Sequence, residues 1–287
     1  MISSTRLAAL ATLVTVAACA RSVGTVGSAG SAPTPAAAIA PAPPKPFEYA
    51  ASSGQYRFSA NSQIVQSVMG QSQDMATSNT RLMSVALARS APDTITMTLT
   101  IDSITLVGPM GMTPPGLDKV PGSKFTAKLA PNGSFYSVTG PNQDDNPLAA
   151  GMADELGRAL PRIKAILAAG VTWTDTLKDQ VRQAGLEVNR EIITMYTVAG
   201  DSMVGSEPSW KLLREMSVKG TGKGNAQGQD IALESSGTGK GVLLVSKKGV
   251  LLAGQGEETG AGVVTLAASG MQVNLTTTTT TNFTKVR

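Results

Sequence analysis

Most of this chain alternates apolar and polar residues with a period of two, and that pattern constrains its fold more than any other feature. Ile95, Met97, Leu99 and Ile101 share one face of an extended segment, while Thr94, Thr96, Thr98 and Thr100 share the other. Successive side chains of a strand point to opposite sides, so a segment patterned this way half-buries itself in a sheet. The phase then moves to Ile104 and Leu106, which predicts a β-bulge near Asp102-Ser103. Phe125, Ala127 and Leu129 alternate next, and Pro131-Asn132-Gly133 turns the chain into Phe135-Tyr136-Ser137-Val138. Asn-Gly between two alternating runs is a strong hairpin signal. Leu186, Val188, Ile192, Tyr196 and Val198 are in step, as are Trp210, Leu212, Met216 and Val218. Shorter runs follow at 242–245, 250–253, 263–266 and Met271/Val273/Leu275, with turns expected at Ser236-Gly237, Lys248-Gly249, Gly260 and Ser269-Gly270. Thr277, Thr279, Thr281 and Phe283 continue the last of these faces. The threonine run therefore reads as a final strand, β-branched and largely solvated.

One stretch breaks the pattern. Leu148, Met152, Leu156, Leu160 and Ile163 recur at helical spacing after Asn146 as N-cap and Pro147 at the first helical position. A helix near 147–160 is expected, ended or kinked by Pro161. The predicted fold class is mainly β: a large curved antiparallel sheet, half-barrel or open-barrel-like, with one central helix packed on it. Residues 47–287 form this single domain.

Composition excludes several chemistries. The chain has no His, which removes the commonest general base and the commonest zinc ligand. Its single cysteine permits no internal disulfide and no CxxC redox pair. The formal charge of +4 is scattered, and Lys247-Lys248 is the densest basic cluster, so no basic stripe for nucleic acid exists. Gly220-Thr-Gly-Lys-Gly224 and Gly237-Thr-Gly-Lys-Gly241 superficially suggest a phosphate loop. Each lysine is followed by glycine, with no helical pattern beyond. The pentapeptides read instead as hairpin turns or glycine-loosened strands. Asp144-Asp145, with Asp118 upstream, lacks calcium-loop spacing, and adjacent carboxylates in a strand or turn point apart. No GxSxG or SxxK motif supports a serine nucleophile. The expectation is a non-enzymatic protein with no catalytic residues, no bound metal and no cofactor.

The N-terminus carries an address. Arg6 precedes an eleven-residue apolar stretch, Leu7–Ala17, which is too short to span a bilayer and suits a secretory signal. Val16-Ala17-Ala18-Cys19 follows and closely resembles the bacterial lipobox. The resemblance implies cleavage after Ala18, a signal peptide of residues 1–18, and lipidation of Cys19. Residues 19–46 then form a tether, since Ala, Pro, Gly and Ser supply 20 of the 27 residues from Ala20 to Pro46. A segment of that composition reaches roughly 30 Å as a coil. With no aspartate immediately after Cys19, the pattern implies an outer-membrane anchor facing the periplasm. The competing reading is an ordinary signal-peptidase site at Ala18-Cys19-Ala20, which would release a soluble protein.

The element order resembles the half-barrel of periplasmic lipoprotein carriers and mycobacterial lipid-binding lipoproteins. The stretch Gly170-Val-Thr-Trp-Thr-Asp-Thr176, with the glycine-rich C-terminal meander, is similar to an uncharacterised family of predicted bacterial lipoproteins. Leaving Met1 aside, eleven of the twelve Met remain in an aromatic-poor chain, where they fill core gaps or line a deformable cavity. Candidate cavity residues are Met97, Leu99, Leu156, Leu160, Trp173 and Trp210, with Met110 and Met112 as a flap in the 108–121 loop. Two functions follow from different classes. One is binding of a lipid or acylated partner between sheet and helix; the other is an envelope scaffolding module with a solid core and no ligand. A continuous apolar cavity of several hundred Å³ would favour the first.

Overall fold

A computed structural model describes residues 45–287 apart from Gln143, Arg158, Ala184, Gly185, Gln227, Gly228, Ala267, Ala268 and Arg287. The expected signal peptide, Ala18, Cys19 and nearly all of the tether lie outside the described residues.

Eleven antiparallel strands make one unclosed, curled sheet. In chain order they are β1 (Ser52–Val68), β2 (Gln71–Ala91), β3 (Thr94–Val107), β4 (Lys124–Leu129), β5 (Phe135–Thr139), β6 (Thr172–Gln183), β7 (Leu186–Val204), β8 (Glu207–Ala226), β9 (Gln229–Ser246), β10 (Leu251–Leu266) and β11 (Met271–Lys285). Their spatial order is β5-β4-β3-β2-β1-β11-β10-β9-β8-β7-β6. The first and last strands pair in the middle of the sheet, with Phe58 opposite Phe283 and Ile64 opposite Thr277. Both edges therefore come from the middle of the sequence. The chain between β5 and β6 has to cross the opening that those edges leave.

The expected bulge is present. Leu82 pairs with Ser103 and Met83 with Ile101, so Asp102 is the extra residue. The 131–133 hairpin also forms, with Gly133 at φ 88° and the Asn132 side chain accepting from the Ser134 amide at 3.0 Å.

The sequence reading needs three corrections. First, the helix is two short pieces, α1 (Pro147–Ala150) and α2 (Ala153–Gly157). Asn146 caps α1 as expected, its Oδ1 accepting from the Ala149 amide at 3.1 Å. Gly151 and Gly157 weaken the helix, and Pro161 bars its preceding residue from helical geometry. Beyond them the Ile163 amide donates to the Asn132 carbonyl at 2.9 Å, so that stretch is not helical. Second, Gly237 and Gly260 lie inside β9 and β10 and not at turns. Gly220, Gly222, Gly239, Gly241, Gly254 and Gly256 are all buried, and the register turns them to the inner face. Without side chains there, the wall can curl tightly and large neighbours fill the space: a Cβ on Gly254 would run into the ring of Phe283, its partner on β11. Third, the threonine run is not largely solvated. Thr277, Thr279 and Thr281 are only 5%, 2% and 7% exposed, because β11 is a central strand under the curl.

The core divides along the barrel axis. At one end Tyr49, Ile95, Met97, Val198, Leu212 and Val245 join β2–β4 to β7–β10, so the two halves of the sheet meet across the interior. At the other end Leu186, Val188, Leu233, Val273 and Leu275 form a separate cluster. A third cluster packs Leu99, Ile101 and Phe125 under Ala149, Met152 and Leu156 from the helical crossing.

The outer face is polar along most strands, with exposed Arg57, Asp74, Lys219, Lys223, Glu234 and Lys240. A membrane-spanning barrel needs an apolar outer band about 25 Å tall, which these side chains would interrupt. Among the described residues no helix is long and apolar enough to cross a membrane.

Candidate functional site

Between the two apolar ends lies a polar belt facing the interior. Arg190 and Asp179 stand opposite each other on β7 and β6 in a bidentate pair, Nε–Oδ1 3.0 Å and Nη2–Oδ2 2.8 Å. Ser62 and Thr279 share a hydroxyl hydrogen bond of 2.8 Å across β1 and β11. Arg214 of β8 approaches Glu258 of β10 with Nη2–Oε1 at 3.4 Å. Glu258 is 6% exposed, and burial pushes its carboxyl up to about 8, the nearby Arg214 charge opposing that rise. A void of about 30 Å³ adjoins this carboxyl, lined by Met216, Ser235, Gly237, Thr277 and Thr279 among others. That volume holds one or two water molecules and no acyl chain.

Arg81 extends the belt toward the helical crossing. Its side chain is 5% exposed and makes a fork to Glu155 of α2, Nη1–Oε1 3.0 Å and Nη2–Oε2 3.2 Å. Its Nε donates to Asn79 at 3.2 Å, and the guanidinium lies 5.1 Å from the Phe58 ring centre. This latch ties the crossing to the inner wall. Removing one partner of a buried pair strands the other charge. Glu155→Ala is therefore expected to cost roughly 3 kcal/mol, at the low end for such pairs because Glu155 is half-exposed and partly solvated already. Urea unfolding checks this, and Glu155→Gln, which keeps the acceptor oxygen, should lose less.

The residues expected to line a cavity occupy packed positions. Met97 and Leu99 are 2% and 1% exposed, and Leu156 is 3% exposed. Leu160 and Trp210 pack partly buried on the first cluster, and Lys247 Nζ stands 4.5 Å from the Trp210 ring centre. Trp173 stacks on Tyr196 at 5.0 Å and donates from Nε1 to the Arg162 carbonyl at 3.1 Å. Met112 is 53% exposed after the 3-10 turn Pro109–Gly111. Met110 lies in that turn, and its side chain is outside the described residues. Among the described residues, Met97 belongs to one core cluster and Leu99 and Leu156 to another, and none of the three lines the void beside Glu258.

The belt itself was missed, although the sequence carries its signal. Arg190 falls in phase with Val188 and Ile192, and Arg214 with Leu212 and Met216, so charges sit on apolar rows. The belt holds no histidine or cysteine, and no group of three or more metal-ligating side chains occurs among the described residues. Its Ser62 and Thr279 hydroxyls bond each other and its carboxylates face arginines, which suits holding the two walls in register.

A second concavity is open to solvent. A recess of about 500 Å³ lies along β6–β8, lined by Lys178, Asp179, Gln180, Arg190, Glu191 and Lys219 among others. On the outer face Lys178 pairs with Glu191 at 2.7 Å, and Glu191 lies opposite Lys219.

No family model and no curated protein matches this chain. Among solved structures it is similar to Neisserial surface protein A, at 8% identity over 82% of this chain and 99% of that one, TM-score 0.23. It is similar to Pseudomonas aeruginosa OccK2, solved with glucuronate, at 6% identity over 82% and 98%, TM-score 0.26. A DUF1329 family protein from Desulfovibrio piger matches at 10% identity over 80% and 84%, TM-score 0.19. Scores this low establish neither a shared fold nor a shared function.

Proposed function

We propose that this chain is a bacterial lipoprotein, held by lipid on Cys19 at the outer membrane and facing the periplasm, whose β domain serves as a non-enzymatic interaction module of the cell envelope. The observation that carries the choice of module over carrier is the packing of the described core, where Met97, Leu99 and Leu156 are at most 3% exposed. The void by Glu258 measures about 30 Å³, against the several hundred Å³ that a bound acyl ligand requires. The polar outer face supports a domain standing in water beside a membrane. The Val16-Ala17-Ala18-Cys19 motif supports the anchor, and the Ala/Pro/Gly/Ser tether supplies the spacing. Two or more acyl chains give stable anchoring where one gives only marginal binding.

The test is expression of the full chain in a Gram-negative host with labelled palmitate. The parent is expected in the membrane fraction with label incorporated. Cys19→Ser should lose the label and leave the membrane pellet, with the fold unchanged by circular dichroism. Native mass spectrometry of the parent in detergent is expected to show the lipidated chain alone. A further stoichiometric lipid adduct would restore the carrier reading, and an unlabelled soluble parent would end the lipoprotein reading.

A further inference from the structure

The sheet is unclosed, and its two edges are treated differently. The β5 edge is five residues long and lies against α2. The β6 edge is twelve residues long and pairs only with β7 among the described residues. Its first half is covered by the crossing: Arg162 Nη2 donates to the Thr176 carbonyl at 3.1 Å, and Trp173 Nε1 donates to the Arg162 carbonyl. Among the described residues no such hydrogen bond reaches the second half.

The direction of the backbone groups along that half follows from two observations. The Val198 amide donates to the Val171 carbonyl, so odd-numbered residues bond toward β7. The Thr176 carbonyl meets Arg162 from the other side, so even-numbered residues face the opening. An antiparallel strand alternates strictly in this respect. The amides and carbonyls of Lys178, Gln180 and Arg182 therefore point out of the sheet, with Lys178 and Gln180 lining the 500 Å³ recess.

We infer that the second half of β6 is a strand-acceptor site, taking an extended peptide segment of a partner protein as an added antiparallel strand. The inference rests on the interaction-module reading and names how the module binds. Main-chain bonding would supply affinity, and alternate side chains would supply selectivity. On the inner side an added strand would meet partly buried Leu177 on β6, beside the inward-facing Asp179–Arg190 pair. On the outer side it would meet Lys178, which is 74% exposed, with Lys219 beyond Glu191. The complementary segment thus alternates small apolar residues with acidic ones. The same strand of a second copy fits poorly, since registers centred on Lys178 or Asp179 oppose like charges. Lysine on an edge also discourages self-association.

The probe is a fluorescent, acetylated peptide in which Val alternates with Glu, titrated into the full chain by anisotropy. Binding is expected to slow hydrogen exchange at the Lys178, Gln180 and Arg182 amides. N-methylation of alternate peptide amides should abolish it. Gln180→Pro removes an outward-facing donor without touching the β7 ladder and should weaken binding about tenfold or more. Lys178→Glu should weaken it as well, with the melting temperature of both variants near the parent's. Should Gln180→Pro fail to fold, the exchange result and the methylated peptide decide the question alone. Binding without protection at these amides, or unaffected by N-methylation, would overturn the site, as would dimerisation through β6. A chain that is membrane-anchored through Cys19 yet does not bind the peptide would overturn the acceptor site alone.

Discussion

Between about pH 4.5 and pH 8 the domain should lose stability as pH rises, and Glu258→Gln should remove most of that slope. Glu258 has its carboxyl pushed from 4.5 to about 8, chiefly by burial. Its folded pKa lies above its unfolded one, so in this window the native state binds the proton that the unfolded chain has released. Stability then falls with pH, at about 1.4 kcal/mol per pH unit for one fully coupled group. The accumulated loss by pH 8 is a few kcal/mol as an order of magnitude. Gln is the neutral isostere, so the variant should be the more stable protein at pH 8 and close to the parent near pH 5. Urea melts at both values measure this directly. A parent whose midpoint rises from pH 5 to pH 8, or a variant that keeps the slope, would mean that Glu258 is ionised inside the belt. Partly exposed Glu191 and Glu207 act in the opposite sense, their carboxyls lowered first by side-chain hydrogen bonds from Lys178 and Ser246 respectively. Their contribution is present above pH 4.5 and lost below it, so it does not mask the trend.

The second large effect is expected at Gly249, where β9 turns into β10. It has φ 83°, and a Cβ there would stand 2.4 Å from the Glu48 carbonyl oxygen and 2.9 Å from the Ala50 nitrogen. Both obstacles are backbone, fixed by the Ala50 amide donating to the Gly249 carbonyl at 2.9 Å. Left-handed geometry costs a non-glycine residue roughly 1–2 kcal/mol, and forced overpacking typically adds about 1–3 kcal/mol. Gly249→Ala should therefore destabilise by about 2–5 kcal/mol and release the segment around Tyr49, whose hydroxyl donates to the Pro161 carbonyl at 2.9 Å. Thermal unfolding gives the magnitude, and faster hydrogen exchange at Tyr49 and Ala50 would locate it. Gly270→Ala is the control, because it has φ 63° but nothing within 4 Å. It should lose only the conformational part.

How far the sequence anticipates this structure depends on the range of the interaction. The Asp102 bulge and the Asn132-Gly133 turn are local, and both were legible. So was the inward phase of the rows read in β3, β4, β7, β8 and β11, because period-2 patterning survives any arrangement of neighbours. The helix failed at Leu160 and Ile163, where Pro161 and a long-range bond to Asn132 outweigh helical spacing. Gly237 and Gly260 read as turns because glycine is ambiguous between a turn and a strand curled too tightly to carry side chains. The same non-local curl buries Thr277, Thr279 and Thr281, and it sets Met97 and Leu99 in core clusters that no local pattern specifies. Of the candidate site, Arg190 and Arg214 stand in phase with their apolar rows, as charges in otherwise apolar positions. Which carboxylates meet them, and which strand edge stays bare, depends on pairings that no local pattern encodes.

The pairing of β1 with β11 has a consequence for how the chain acquires this form. Phe58 and Phe283 are partners across the centre of the sheet, so the seam joining the two halves waits for the last strand to be available. A chain that crosses a membrane N-terminus first would deliver β1 long before β11, leaving β1 as an unpaired edge throughout. Contacts this distant in sequence make folding slow and expose strand edges to aggregation. Such a domain would depend on a holdase during export, and joining β11 to β1 through a short linker, with new termini opened between β5 and β6, should speed refolding without altering the finished sheet.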